Sequence, residues 1–303
     1  MAKKKKKKVH KKIWSILIVV VAIFYSIYES EINETFGMPT SIPVSKEVES
    51  NLMVRFIDVG QADAILIQNQ GESMLIDAGN NEDGELLVKY FNQIGIEKFT
   101  YVVGTHPHED HIGGLDDIIN SFLVDKIYLP DAITTTATFV DVLDAMEAKN
   151  MTYTVPKIGE VFTLGEATLK VIYTGTDTSD LNNTSIILRL DFGENSFLFT
   201  GDATDKTEKK ILNQDIEVDV LKVGHHGSKY STTDDFLEKV NPKYAMISVA
   251  KYNSYKQPHN EILEKLEKFG TKIYRTDKLG TIMVYSDGSE IRITTEKTDT
   301  NGS

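Results

Sequence analysis

Residues 105–114 read Thr-His-Pro-His-Glu-Asp-His-Ile-Gly-Gly. Three histidines and two carboxylates fall within the six positions from His106 to His111, directly after the apolar run FTYVVGT at 99–105. A polar surface loop is the plain reading of such a stretch, but the spacing argues for more. Proline biases the residue before it toward extended backbone, and in an extended segment residues two apart face the same side. His106 and His108 can therefore converge on one cation. Asp110 and His111 follow after a bend and can serve a second cation nearby. Gly113 and Gly114 let the chain turn away closely behind them. Imidazole with carboxylate is a donor set that suits zinc, manganese or iron.

The remaining histidines are as unevenly placed. Of seven, His10 lies in a lysine tail, and the other six are His106, His108, His111, the pair His225-His226, and His259. The pair ends the apolar run VDVLKV at 218–223, in GHHGS, and His259 lies in QPHNE just before a helical pattern. Asp202 ends SFLFTGD on a tight Thr-Gly-Asp turn. A carboxylate has two oxygens and can bridge two cations; its competing role is to N-cap the helix expected at 204–213. The chain has no cysteine, so disulfides and thiolate-bound zinc are excluded and any metal must take nitrogen and oxygen ligands.

Charge divides the chain. Lys3 to Lys8, Lys11 and Lys12 supply eight of 33 basic residues, and without them 25 basic residues face 45 acidic ones. A body with a formal charge of −20 is unsuited to broad, non-specific adhesion to nucleic acid. Residues 13–28, IWSILIVVVAIFYSIY, carry no charge. As a helix they rise roughly 24 Å, a little short of a hydrocarbon core of about 30 Å, with Lys11 and Lys12 able to snorkel and Trp14, Tyr25 and Tyr28 suited to the interfaces. The run lacks a small-x-small cleavage site after it, which favours an uncleaved anchor over a signal peptide. The expected organisation is a basic cytoplasmic tail (1–12), a single membrane-spanning helix (13–28), a polar stalk (29–50), a catalytic body (51–296) facing outward by the positive-inside rule, and a polar tail (297–303).

Within the body, LMVRFIDVG, ADAILIQN and ESMLIDAG read as a three-stranded meander. Apolar stripes at helical spacing mark helices at 82–94 and 138–149, and another is expected from near Gly114. Strands are expected at 126–130, 161–164, 168–174, 185–192, 196–200, 218–223, 243–249, 272–276, 280–285 and 289–294, with helices at 204–213 and 260–269. Hairpin-like strand series at both ends favour two sheets packed together with helices outside over a doubly wound parallel sheet.

HPHEDH matches the H-x-H-x-D-H signature of the metallo-β-lactamase superfamily. FIDVGQADAILIQ, MLIDAG, THPHEDHIGG, NNTSIILRL, FLFTGD, DVLKVGHHGS and the RTD at 275–277 resemble the hydrolase domain of ComEC-type competence proteins, from about Leu52 to Thr294; phosphorylcholine esterases of cell surfaces are similar too. Ala62 stands where that branch usually has glycine, and one histidine of its Gly-His-Pro-His-Pro is missing around His259.

The resemblance implies a four-layer αββα sandwich with a dinuclear site at one edge. His106 and His108 would hold one metal with His225 or His226, Asp110, His111 and His259 would hold the other, and Asp202 would bridge. The second histidine of the pair would donate a proton or bind substrate, and Asp77 would be structural near the site. The expected cofactors are two divalent ions, zinc first, with manganese or iron as alternatives. The expected reaction is metal-dependent hydrolysis of a phosphodiester in DNA, a nucleotide or a wall or lipid polymer, with Asp110, Asp202 and His226 as the catalytic groups; Lys222, Lys229, Arg275 and Lys278 read either as a local phosphate clamp or as ordinary solvated surface charges. Hydrolysis of a lactam, lactone or thioester, or a non-catalytic tethered module, are the alternatives. Protease added to intact cells is expected to cut within residues 29–50 and release the body; full protection of the body would overturn the outward topology.

Overall fold

A computed structural model describes residues 52–298; the predicted tail, anchor and stalk at 1–50 lie outside the described residues. Among the described residues no helix is long and apolar enough to cross a membrane. The predicted meander forms as β1 (Leu52–Phe56), β2 (Ala64–Asn69) and β3 (Glu72–Ala78), paired antiparallel in sequence order. The first sheet then changes character. Strands β4 (Lys98–Val103), β5 (Leu123–Tyr128) and β6 (Tyr153–Thr154) add on parallel. Parallel pairing requires a crossover, supplied by α1 (Gly84–Gln93), then α2 (Glu109–Ile112) with α3 (Leu115–Ser121), then α4 (Ala137–Ala148).

The second sheet repeats that logic. β7 (Val161–Leu164), β8 (Ala167–Tyr173), β9 (Ile187–Phe192) and β10 (Asn195–Phe199) are antiparallel, and β11 (Val220–Lys222), β12 (Tyr244–Ile247) and β13 (Lys272–Arg275) continue parallel. Their crossovers are α5 (Asp205–Ile211), α6 (Asp234–Val240) and α7 (Asn260–Lys268). After a short turn of helix, α8 (Thr276–Leu279), which the sequence did not suggest, β14 (Ile282–Ser286) and β15 (Ile291–Thr295) return to close the free edge of the first sheet beside β1.

Alternation along the strands assigns the layers. Val54, Phe56, Ile65 and Ile67 from the first sheet meet Leu188, Leu190, Phe197 and Phe199 from the second in one core between the sheets. The intervening residues Ile187, Leu198, Leu221, Ala245 and Ile247 face the other way, onto Ile211, Phe236, Leu237, Ile262 and Leu266 of α5, α6 and α7. On the first sheet's outer face, Phe91 of α1, Phe99 of β4 and Phe122 pack edge to face. The result is an αββα sandwich built on two mixed sheets.

Two local expectations change. Thr204, not Asp202, is the N-cap of α5, its side chain accepting from the Lys206 N–H, so the carboxylate of Asp202 is released from that duty. Lys222 is enclosed between the sheets, on the same face of β11 as Val220, and Arg275 is locked onto Asp277 by two charge-assisted bonds of 2.9 and 2.7 Å. Neither belongs to an exposed phosphate clamp; Lys229 and Lys278 are exposed.

Candidate metal centre

Ligands collect at the carboxyl ends of parallel strands, where chain direction reverses and loops converge. Here those ends are β3, β4, β10, β11 and β12, and every predicted site residue except His259 sits just beyond one of them. Beyond β4, the Thr105 N–H donates to Asp77 Oδ1 at 2.7 Å and its hydroxyl to Oδ2 at 2.8 Å. The extended segment around Pro107 then turns His106 Nε2 and His108 Nδ1 to face each other at 2.9 Å. His106 is fully enclosed; burial, reinforced by His111, holds its imidazole well below the usual histidine range, so it is a neutral donor.

The short helix α2 carries Asp110 and His111 back over β3. Gly113 and Gly114 permit this, since a Cβ on Gly113 would lie 2.2 Å from the Asn80 carbonyl carbon and one on Gly114 would lie 2.5 Å from Ala78 O. That close approach sets His111 Nδ1 on Asp77 Oδ2 at 2.8 Å. A carboxylate behind a ring nitrogen fixes the tautomer and directs the other nitrogen's lone pair forward. His111 Nε2 accordingly points at Asp202 Oδ1, 3.3 Å away, and lies 3.9 Å from Asp110 Oδ2.

The second sheet supplies the opposite wall. Asp202 follows β10, its N–H donating to Ser185 Oγ at 3.1 Å. His225 and His226 both adopt left-handed backbone, with φ of 52° and 53°, a conformation that costs non-glycine residues energy and concentrates at functional sites. It sends the two side chains to different places. His226 is enclosed, with Nδ1 donating to Ser248 O at 2.9 Å, which leaves Nε2 3.5 Å from Asp110 Oδ2 and 3.6 Å from Asp202 Oδ2. His225 stays partly exposed, Nε2 3.7 Å from Asp202 Oδ2.

Asp110, His111, Asp202 and His226 each offer a donor atom within 4.8 Å of the others. His111 Nε2, Asp202 Oδ1 and His226 Nε2 are buried without a hydrogen-bond partner. Buried polar atoms in a native fold normally have one, and here the unpartnered atoms are convergent lone-pair donors of nitrogen and oxygen. The site therefore fits a divalent cation, as the fold implies. His259 is not brought into this group: its Nδ1 accepts from the Lys229 N–H at 3.3 Å, and its backbone N–H donates to Gly227 O. His226 occupies the place beside Asp110 and His111 that the resemblance assigned to His259.

Electrostatics follow from the packing. Burial pushes the Asp202 carboxyl up, but His111 and His226 more than offset it and hold it well below the usual range. The same balance of burial against His111 and His226 lowers Asp110. Burial pulls His111 and His226 down, yet Asp202 and its neighbouring carboxylates raise both above the ordinary histidine value. Behind them lies a group that motif reading passed over. Asp63, buried in VGQAD, pairs with the enclosed Lys222 at 2.7 Å.

A two-sheet αββα sandwich with a histidine–aspartate centre at one edge defines the class. Residues 57–251 match the metallo-beta-lactamase superfamily, and the chain belongs to that family. ComE operon protein 3 of Bacillus subtilis is 30% identical over 250 residues, which are 76% of this chain and 32% of that protein. Recombination protein 2 of Haemophilus influenzae is 29% identical over 246 residues, 78% of this chain and 29% of that protein. Both are ComEC-type competence proteins, and this chain spans about a third of their length. Among solved structures, the metallo-beta-lactamase fold protein YhfI of Bacillus subtilis superposes with a TM-score of 0.51 at 14% identity, covering 80% of this chain and all of YhfI.

Two outcomes are expected of the centre. His226→Ala should weaken Mn2+ binding by at least tenfold in titration calorimetry, whereas His259→Ala should bind as the wild type does. In the metal-free chain the raised imidazoles contribute stability that is complete below about pH 6.5 and is lost as pH rises through their folded values. Its melting temperature should therefore fall on raising the pH from 6.5 to 8.5, the metal-loaded chain should lack this fall, and loading should release protons in buffers of different ionisation enthalpy.

Proposed function

We propose that this chain is a membrane-tethered, dinuclear-metal phosphodiesterase. The observation that carries the reading is the set of buried, unpartnered donor atoms on Asp202, His111 and His226, converging from two sheets. In this reading Asp110, His111 and His226 would hold one cation, His106 and His108 would hold the other, and Asp202 would be a carboxylate available to both. Two such ions activate water and stabilise charge developing on a phosphoryl oxygen.

The chain's own groups divide the remaining work. Asp202 is fully enclosed and positions; Asp110 is partly open, its side chain 30% exposed, and is kept ionised by the adjacent imidazoles. Asp110 is the carboxylate open enough to solvent to orient the attacking water. His225, at the rim and kept neutral by burial, accepts a hydrogen bond from substrate or solvent. Segment 13–28 anchors the enzyme, with the catalytic body outside the membrane.

The rim supports a nucleic acid or nucleotide as substrate. Among the described residues, the exposed large aromatic side chains are Tyr230, Tyr252 and Tyr255. All three lie on the loops following His226 and Ser248, which are joined by the His259 bonds to Gly227 and Lys229. The second loop is stapled by Asn253, which bonds Ala250 O and Gln257 O, and by Gln61, which bonds Gln257 and the Ala250 N–H. In an acidic body, residues 224–233 and 248–260 contain no aspartate or glutamate but carry Lys229, Lys251 and Lys256. Exposed rings beside lysines suit stacked bases with flanking phosphates.

The full chain, purified in detergent with Mn2+ or Zn2+, should hydrolyse bis-(p-nitrophenyl) phosphate and single-stranded DNA, and His108→Ala should reduce both by at least a hundredfold. Replacing Tyr252 by alanine should raise KM for an oligonucleotide about tenfold, the order expected from ~1–3 kcal/mol per stacked base, and replacing Tyr255 as well should raise it further. Turnover of a β-lactam alone would overturn the phosphodiesterase reading. Less than one metal per chain in a metal-replete preparation would favour a non-catalytic module.

A further inference from the structure

The two walls of the centre come from different sheets, and the loops that carry the ligands are separate in sequence. Something must fix their separation. Asp63 and Lys222 are placed to do so. The main chain of Asp63 belongs to the first wall: its N–H donates to Asp110 O at 3.0 Å, and its carbonyl accepts from the Gly79 N–H at 2.8 Å. Its side chain reaches across to the second. Lys222 ends β11, three residues before His225, and its ammonium lies 2.7 Å from Asp63 Oδ2 while donating to Val223 O at 3.1 Å. Both side chains are enclosed, at 0% and 1% exposure.

Asp63 is also centred behind the ligands. Its Oδ1 lies 3.8 Å from His226 Nδ1 and its Oδ2 lies 3.9 Å from His111 Nδ1. The two imidazoles it faces come one from each wall. An isolated lysine between two apolar sheets is a poor way to gain stability, because desolvating both charges can cost more than their attraction returns, and an apolar pair of like volume would serve as well or better. What an ion pair adds is a fixed direction and length.

We propose that the Asp63–Lys222 pair is a strut that sets the spacing of the two half-sites, and that both cations are held tightly only while it is intact. The proposal rests on the dinuclear reading. Both residues are positioning residues; neither touches a reacting atom. The ammonium takes up Oδ2 of Asp63, and Oδ1 faces the His226 ring from behind.

The test compares stability with metal binding in the full chain, using Mn2+ as the probe. The double variant Asp63→Leu with Lys222→Met removes the charges together and should melt, metal-free, within a few degrees of the wild type. It should nevertheless bind the second Mn2+ at least tenfold more weakly and lose the exchange-coupled Mn2+ pair signal in electron paramagnetic resonance. Leu169→Ala, in the core between the sheets, is the control: it lowers the melting temperature and keeps both ions and the coupled signal. Should the double variant fail to fold, Lys222→Arg, which keeps the charge but alters the length, should shift the exchange coupling. Wild-type affinity and coupling in the double variant, or an unaltered coupling in Lys222→Arg where only that variant folds, would overturn the strut. A wild-type chain that binds fewer than two ions overturns the dinuclear reading and the strut with it, whereas two ions bound equally by all variants overturns the strut alone.

Discussion

Four carboxylates, Asp63, Asp77, Asp110 and Asp202, crowd one edge of this fold, and three of them are at most 2% exposed. Two like charges 4 Å apart repel by about 4 kcal/mol at an effective dielectric of 20, so the group is tolerable only if each carboxylate faces positive charge or several hydrogen-bond donors. The structure answers each one separately. Asp63 has the Lys222 ammonium, Asp77 has the Thr105 N–H and hydroxyl with the His111 ring, and Asp110 and Asp202 share the imidazoles of His111 and His226. Asp77 is hydrogen-bonded at both oxygens by protein groups, whereas Asp63 has the ammonium at Oδ2 and no hydrogen-bond partner at Oδ1. The forward pair, Asp110 and Asp202, faces imidazoles whose Nε2 atoms have no other partner, and those convergent nitrogen and carboxylate atoms can take a cation once the imidazoles are neutral.

Sheet topology makes this arrangement possible. Each sheet begins as an antiparallel meander and continues parallel, and only the parallel half sends consecutive strand ends to the same edge. Asp77, His106 and Asp202 lie within three residues of the ends of β3, β4 and β10, and His225 lies three residues beyond β11. Helical crossovers are the cost of parallel pairing, and they cover the outer faces that would otherwise be exposed apolar surface.

Much of this was legible beforehand, for physical reasons that also explain what was not. Period-two apolar runs located nearly every long strand, and Pro107 made the convergence of His106 with His108 readable from local geometry. Local patterns say nothing about which distant group meets which. His226 and His259 are equivalent as histidines beside glycine or proline; only the left-handed turn at 225–226, which divides the pair between interior and rim, and the Ser248 carbonyl that holds His226 separate them. Lys222 misled because a lysine is normally a surface residue. Its place on the Val220 face of β11 was the available signal: alternation turns every second residue of this strand into the inter-sheet core, and Lys222 is one of them.

The same physics ties folding to chemistry at this edge. Without a cation, Asp110 and Asp202 depend on protonated His111 and His226, so deprotonation removes the charges that hold the two walls together. A divalent ion needs those imidazoles in the neutral form. Protons and metal are thus alternative occupants of one electrostatic role, exchanged as pH rises. The Asp63–Lys222 pair stands behind the donor atoms and not among them. An ion pair of fixed length behind the exchangeable groups is then a contact between the walls that does not lie among the donor atoms, which gives a buried lysine a role that an apolar side chain would not fill.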